Sequence, residues 1–186
     1  VAMSHDNQLV VTTSAHTTKV WRASATSFEC IRTIETGFGL CVAFVSGDRH
    51  VILGTKTGSI QLLSLASSEV METLDNAHDG SVWSIAMRPD RTGFVSAGAD
   101  KTVHFYEFDV TNASSENSQQ QQQRLTFVHT RTLKMSDEVL SVRYSHAPGR
   151  PEKLLLAVAL LDSTVKIFYD DTLKFHLSLY GHKLPV

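Results

Sequence analysis

The sequence predicts an all-β chain made of about four copies of one antiparallel four-stranded unit, and three observations carry that prediction. First, a motif recurs: Asp100-Lys-Thr-Val-His-Phe-Tyr106 reads again as Asp162-Ser-Thr-Val-Lys-Ile-Phe-Tyr169, and more loosely as Thr57-Gly-Ser-Ile-Gln-Leu-Leu63 and Thr17-Thr-Lys-Val-Trp21. Second, registering Trp21, Leu63, Tyr106 and Phe168 gives spacings of 42, 43 and 62 residues, and a period near 40 to 45 signals a repeat architecture. Third, the periodicity inside each copy is two. Val, Ile, Phe and Thr are enriched, and turn pairs such as Thr57-Gly58, Pro89-Asp90 and Pro148-Gly149 fall at short intervals, which is the signature of short strands joined by tight turns.

Taken in order, the first unit enters at a second strand near Leu9-Val-Val-Thr12 and runs to about residue 36. The second covers 37–77 and opens on Leu40-Cys-Val-Ala-Phe44, which aligns with Trp83-Ser-Ile-Ala-Met87 and Leu140-Ser-Val-Arg-Tyr144 in the next two. The third, 78–135, is expected to hold strands near 81–87, 93–98, 102–109 and 125–134. Its extra length is assigned to an insertion, Thr111 to Arg124, containing Ser118-Gln-Gln-Gln-Gln-Gln123; a polar low-complexity run of this kind reads as a disordered loop. The fourth covers 136–182 with a widened turn at His146-Ala-Pro-Gly-Arg-Pro-Glu152, and 183–186 would begin another.

Trp83, Ile85 and Met87 alternate with the small Ser84 and Ala86, as expected of a strand held between two sheet faces. Leu154 to Leu161 does not alternate at all, the pattern of a strand buried on both sides. Four short antiparallel strands at this period form the blade of a β-propeller, so the expected fold class is all-β, a partial propeller of about four blades. With a first unit lacking its opening strand and a last one stopping after Gly181-His182, the segment is expected to be an open piece of a larger ring, with apolar faces exposed at its ends.

Composition narrows the function. Seventeen Lys and Arg against nineteen Asp and Glu leave a net charge of -2, so no overall basic field draws the chain to nucleic acid or an anionic membrane. The longest apolar run, eight residues from Leu154, is far short of the roughly 20 that span a bilayer. Cys30 and Cys41 are too few for a disulfide framework and lack metal-ligand spacing, which favours a reducing compartment. In that compartment the sequon Asn112-Ala-Ser114 is coincidental. The nine histidines, among them His78, His104, His129, His146, His176 and His182, show no paired short spacing, and no metal or cofactor is expected.

The punctuation of the repeat carries a resemblance. Ala77-His78-Asp79-Gly80, Ser96-Ala-Gly-Ala-Asp100 and Gly181-His182 resemble the WD40 repeat, in which a His, a strand Ser or Thr, a turn Asp and the Trp of the name form one hydrogen-bonded chain. The resemblance assigns the first three roles to His78, Ser96 and Asp100, with Asp162 and His182 as further members of the same structural network. A turn carboxylate can hold one imidazole nitrogen and leave the other for a hydroxyl. A Ser, a His and an Asp also compose a hydrolase triad, but no Gly-x-Ser-x-Gly elbow is present, and no enzymatic activity is expected. None of the third strands ends in Trp-Asp; Trp21-Arg22, Leu63-Ser64, Tyr106-Glu107 and Phe168-Tyr169 stand there, and Met135 and Val158 replace the His and Ser of the fourth unit.

A narrower resemblance rests on Asp162 through Val186, above all Phe175-His-Leu-Ser-Leu-Tyr-Gly-His-Lys-Leu-Pro185, with His78-Asp-Gly-Ser-Val-Trp-Ser-Ile85 and Asp137-Glu-Val-Leu-Ser-Val-Arg143. These are similar to the family of WD repeat-containing protein 3 and its yeast relative, the Dip-two or Utp-twelve protein. That resemblance implies a nucleolar scaffold of the small-subunit processome, working in ribosome biogenesis beside other WD-repeat proteins, with possible contact to the backbone of U3 small nucleolar RNA or precursor ribosomal RNA. Basic residues in the turns joining first and second strands, Arg49, Arg88, Arg91, Arg150 and Lys153, outnumber Asp48, Asp90 and Glu152 and form the candidate rim for RNA or partners. The alternative reading is a peptide-recognising WD40 adaptor in another intracellular complex. Its candidate cations, Lys56, Lys101 and Lys183, are poor bidentate clamps for a modified peptide.

Overall fold

The computed structural model describes residues 1–24, 26–113, 122–146 and 154–186. Within them the regular structure is strand, arranged as four antiparallel sheets of four strands taken consecutively from the chain. The first sheet holds β1 (Ala2–Met3), β2 (Leu9–Thr13), β3 (Thr17–Ala23) and β4 (Phe28–Glu35); the second holds β5 (Gly39–Phe44), β6 (His50–Thr55), β7 (Ile60–Ser64) and β8 (Glu69–Leu74). The third contains β9 (Val82–Met87), β10 (Gly93–Gly98), β11 (Thr102–Ala113) and β12 (Gln122–Lys134). The fourth contains β13 (Val139–Tyr144), β14 (Leu155–Leu160), β15 (Val165–Tyr169) and β16 (Phe175–Leu179).

The sheets stack through their first strands: β5 packs on β1 and β2, β9 on β5 and β6, and β13 on β9 and β10. Each neighbouring pair encloses its own core. Val11, Val20, Phe44, Val51 and Leu63 fill the first gap; Ile52, Leu62, Val82, Phe94 and Tyr106 fill the second; Val95, Phe105, Val142, Leu156 and Phe168 fill the third. Strand alternation explains the division. On β10, Phe94 points to one gap and Val95 and Ala97 to the other, so all six residues of the strand are buried. The outer strands β4, β8 and β16 are mostly exposed or half-buried.

Strand pairing confirms the registration of the repeat. In every sheet the ladder between third and fourth strands slips by one residue, between Val20 and Trp21, Leu62 and Leu63, Phe105 and Tyr106, and Ile167 and Phe168. The registered residue follows the slip each time.

Four details differ from the sequence reading. The first sheet has an opening strand after all: Ala2 and Met3 pair with Val11 and Val10, and two residues are too few to show a periodicity. Trp83 keeps 39% of its surface exposed near the start of β9, whereas Ser84, Ile85 and Ala86 are buried; the β9–β10 ladder skips it, pairing Ala97 with Ser84 and Gly98 with Val82, and a bulge re-aims its side chain. On β14, Leu156, Val158 and Leu160 enter the third core while Leu155 and Ala157 are half-buried on the opposite side, the face that no further sheet covers here. The strands flanking the insertion also run into it, with Thr111, Asn112 and Ala113 laddered to Arg124, Gln123 and Gln122. Since β10 ends opposite Glu107, this extension is a two-stranded ribbon, and Thr126 Oγ1 ties its base to Glu72 of β8 at 2.7 Å. The remainder of the predicted loop, 114–121, lies outside the described residues.

Candidate functional site

The polar site of the third sheet is built from two turns and two strands. His78 lies between β8 and β9, and its backbone N–H donates to Gly58 O at 3.0 Å, so the turn of one unit anchors the start of the next. Gly58 takes a positive φ of 89°, and a Cβ there would collide with the carbonyl oxygen of His78; both facts demand glycine. Gly98 serves the ring itself, because a side chain would come within 2.6 Å of His78 Nδ1.

Asp100 closes the β10–β11 turn, with Lys101 in the left-handed region at φ 63°. Its carboxylate accepts from the Thr102 hydroxyl at 2.7 Å, the Thr102 N–H at 3.1 Å and the Asp79 N–H at 3.2 Å. His78 Nδ1 is 2.9 Å from the same carboxylate, and His78 Nε2 is 2.7 Å from Ser96 Oγ. The structure therefore brings His78, Ser96 and Asp100 into one chain of contacts. With Nδ1–H donating to the carboxylate, Nε2 accepts the Ser96 hydroxyl. Beyond Ser96 stands Tyr106, buried and stacked on Phe94 at 4.8 Å; burial pushes its phenol up to about 12, with the Ser96 hydroxyl opposing.

Charge is managed by the surroundings. Burial holds His78 below its ordinary imidazole value, although Asp100 pulls the other way. Burial works on Asp100 too, but the hydrogen bonds from His78 and Thr102 outweigh it and keep the carboxyl below the usual range. Two more imidazoles adjoin: His104 lies 4.5 Å from His78 between ring centroids, and His129 4.9 Å from His104. Burial first, then the electrostatic influence of the adjoining His78 and His129 rings, lowers His104 to about 4. The Ser-His-Asp order matches a hydrolase triad, yet Ser96 is 0% exposed, so no substrate carbonyl reaches its hydroxyl in this arrangement.

The other proposed network members sit apart. Asp162 repeats the turn chemistry, accepting from the Thr164 hydroxyl at 2.6 Å and N–H at 2.9 Å, with Ser163 at φ 69°. Val158 holds the position of Ser96, and no imidazole joins Asp162 among the described residues. His182 is exposed beyond β16. In the first sheet Thr12 takes the Ser96 position, and Trp21 Nε1–H donates to its Oγ1 at 2.9 Å.

The basic rim divides as well. Arg49 and Arg91 are both exposed, the latter in a left-handed turn at φ 66°. Arg88 is engaged: its guanidinium lies 2.9 Å from Asp90 and 3.2 Å from Asp170. Arg150 and Lys153 lie outside the described residues. On this side a cavity of about 450 Å³ opens between the first strands, lined in part by His5, Phe44, Met87, Arg143, Tyr144 and His146. Asp170, only 5% exposed, gathers Arg88 and Arg131 of the third sheet and the Tyr144 hydroxyl, which donates to it at 3.0 Å. Burial, then the Asp170 carboxylate, pushes the Tyr144 phenol up.

A family model for the WDR3 second beta-propeller domain matches residues 1–186. The chain belongs to that family. Among relatives of the WDR3 second-propeller family, it is 51% identical to human WD repeat-containing protein 3 and 48% to the Dictyostelium discoideum homolog, each over 186 residues. It is 42% identical over 187 residues to the U3 small nucleolar RNA-associated protein 12 of Saccharomyces cerevisiae. All of this chain is covered in each case, and it spans 18–19% of those proteins' lengths.

In this WDR3 second-propeller chain the residues that sequence reasoning missed are Thr12, Thr102, His104, His129, Arg131, Tyr144 and Asp170. Thr102 had a visible signal, because Asp-x-Thr stands in both Asp100–Thr102 and Asp162–Thr164. Asp170 had none: its arginines lie 39 and 82 positions away in sequence and meet it only once two sheets stack.

Proposed function

We propose that this chain is a noncatalytic propeller segment of a nucleolar small-subunit processome protein, serving in precursor ribosomal RNA processing. Its role is to hold loops in fixed places for other WD-repeat proteins of the particle and for the phosphate backbone of U3 small nucleolar RNA or its precursor substrate. The observation that carries the reading is the similarity, over all of this chain and 19% of the relative's length, to a yeast protein named for its association with U3 small nucleolar RNA. Sheets whose strands are packed on both faces suit such a role, since rigid elements with variable loops present surfaces without rearranging. Arg49 and Arg91, together with the sequence positions Arg150 and Lys153, supply the positive side chains for backbone contact, while Arg88 serves Asp170.

The test is affinity purification of the tagged full-length protein, scoring U3 RNA and processome proteins against ubiquitin-ligase and chromatin components. Enrichment of the first set is expected. Recovery of RNA through this region should fall as salt rises from about 50 to 200 mM, because each phosphate contact releases counterions, and should fall further in an Arg49→Glu, Arg91→Glu variant. Absence of U3 RNA and of processome proteins from the purified material would overturn the proposal.

A further inference from the structure

We infer that His78, Asp100 and His104 form a binding site for one divalent transition-metal ion of the zinc class. One donor atom from each of the three residues lies within 4.8 Å of the others. Zinc bonds of about 2.0–2.2 Å to nitrogen and oxygen place tetrahedral donors about 3.4 Å apart, so His104 has to close by little more than an ångström. Two imidazoles and a carboxylate leave a fourth position for water, the donor set that suits zinc and its neighbours better than calcium or magnesium.

Three features make these residues more than a chance cluster. His104 is half-buried, and its ring makes no side-chain hydrogen bond among the described residues, so it surrenders nothing on turning to a metal. Asp100 is held by the Thr102 hydroxyl and backbone N–H, which fixes the carboxylate as a ligand. His78 has its outer partner in place: when Nδ1 gives its lone pair to the metal, its proton moves to Nε2, which then donates to Ser96 Oγ across the existing 2.7 Å contact. Such a second hydrogen bond orients most metal-bound imidazoles. Sequence spacing concealed the group, since His78 and His104 meet only when β11 is laid beside β10 and the turn before β9.

The experiment uses the full chain stripped by chelation, titrated with Zn²⁺ in a calorimeter and with Co²⁺ as a visible reporter. The expected result is one saturable equivalent, with the absorption of tetrahedral cobalt. The His104→Gln variant, whose side chain has no bond to lose, should keep the melting temperature of the stripped wild type and weaken zinc at least about tenfold. Ser96→Ala should weaken it about 10- to 100-fold, the usual effect of removing an outer partner, while His129→Gln should leave it intact. Failure to saturate, or an unchanged isotherm in His104→Gln, overturns the inference.

Discussion

Substituting Asp170 by Ala removes the carboxylate on which two sheets converge, and the structure sets the scale of the loss. The side chain is 5% exposed, and its partners Arg88 and Arg131 are 18% and 31% exposed at 3.2 and 3.5 Å. Stranding a fully buried charge costs about 3–5 kcal/mol. Both guanidiniums keep some water, and Arg88 retains Asp90 at 2.9 Å, so the expected loss is about 2–3 kcal/mol after screening. For a unit of this size that lowers the melting temperature by roughly 4–12 °C. Circular dichroism melts and urea titrations of the full chain read it directly. Tyr144→Phe removes the hydroxyl that donates to Asp170 at 3.0 Å, and the double variant should fall short of additivity by about 0.5–2 kcal/mol. A loss below about 0.5 kcal/mol, or strict additivity, refutes the idea that this carboxylate clamps the third sheet to the fourth.

Three further outcomes are expected. Asp100→Ala should cost about 1–3 kcal/mol, since the His78 N–H and the Thr102 donors lose their acceptor; a melt indistinguishable from wild type would contradict that. Gly58→Ala should cost at least about 2 kcal/mol, combining the left-handed backbone with the collision at the His78 carbonyl, and solubility and melting of the variant decide it. In metal-free buffer, stability should decline on acidification. His78 and His104 have folded values below the unfolded imidazole value of 6.5, so the unfolded chain binds more protons, and stability is full above pH 6.5 and drains away as pH falls towards 4. Urea midpoints at pH 7, 5.5 and 4.5 measure this, and His104→Gln should flatten the profile; equal midpoints would count against neutral imidazoles in the fold.

The repeat itself was legible because each of its marks is local: the motif Asp100–Tyr106 that returns at Asp162–Tyr169, the turn pairs, and the two-residue periodicity each occupy a few consecutive positions of one unit. The chain from Asp100 through His78 to Ser96 was legible for a different reason, namely the resemblance of its punctuation to a known repeat. Contacts between sheets were not legible. Asp170 with Arg88 depends on which face of one sheet meets the next, and alternation alone does not name the neighbour; His104 with His78 depends on the pairing of β11 with β10. Trp83 misled because an apolar residue in an alternating run reads as core, although the bulge that leaves it unpaired in the β9–β10 ladder cannot be read from alternation.

The ladder slip that recurs beside each outermost strand bears on how such a molecule avoids its own kind. An unpaired margin is an invitation to any passing extended peptide, and a flat one is the easiest to copy. One surplus residue at the same level in all four sheets bends and twists that margin, so a stranger finds no long straight template to lengthen. The irregularity that marks the register thus doubles as a safeguard against fibre growth.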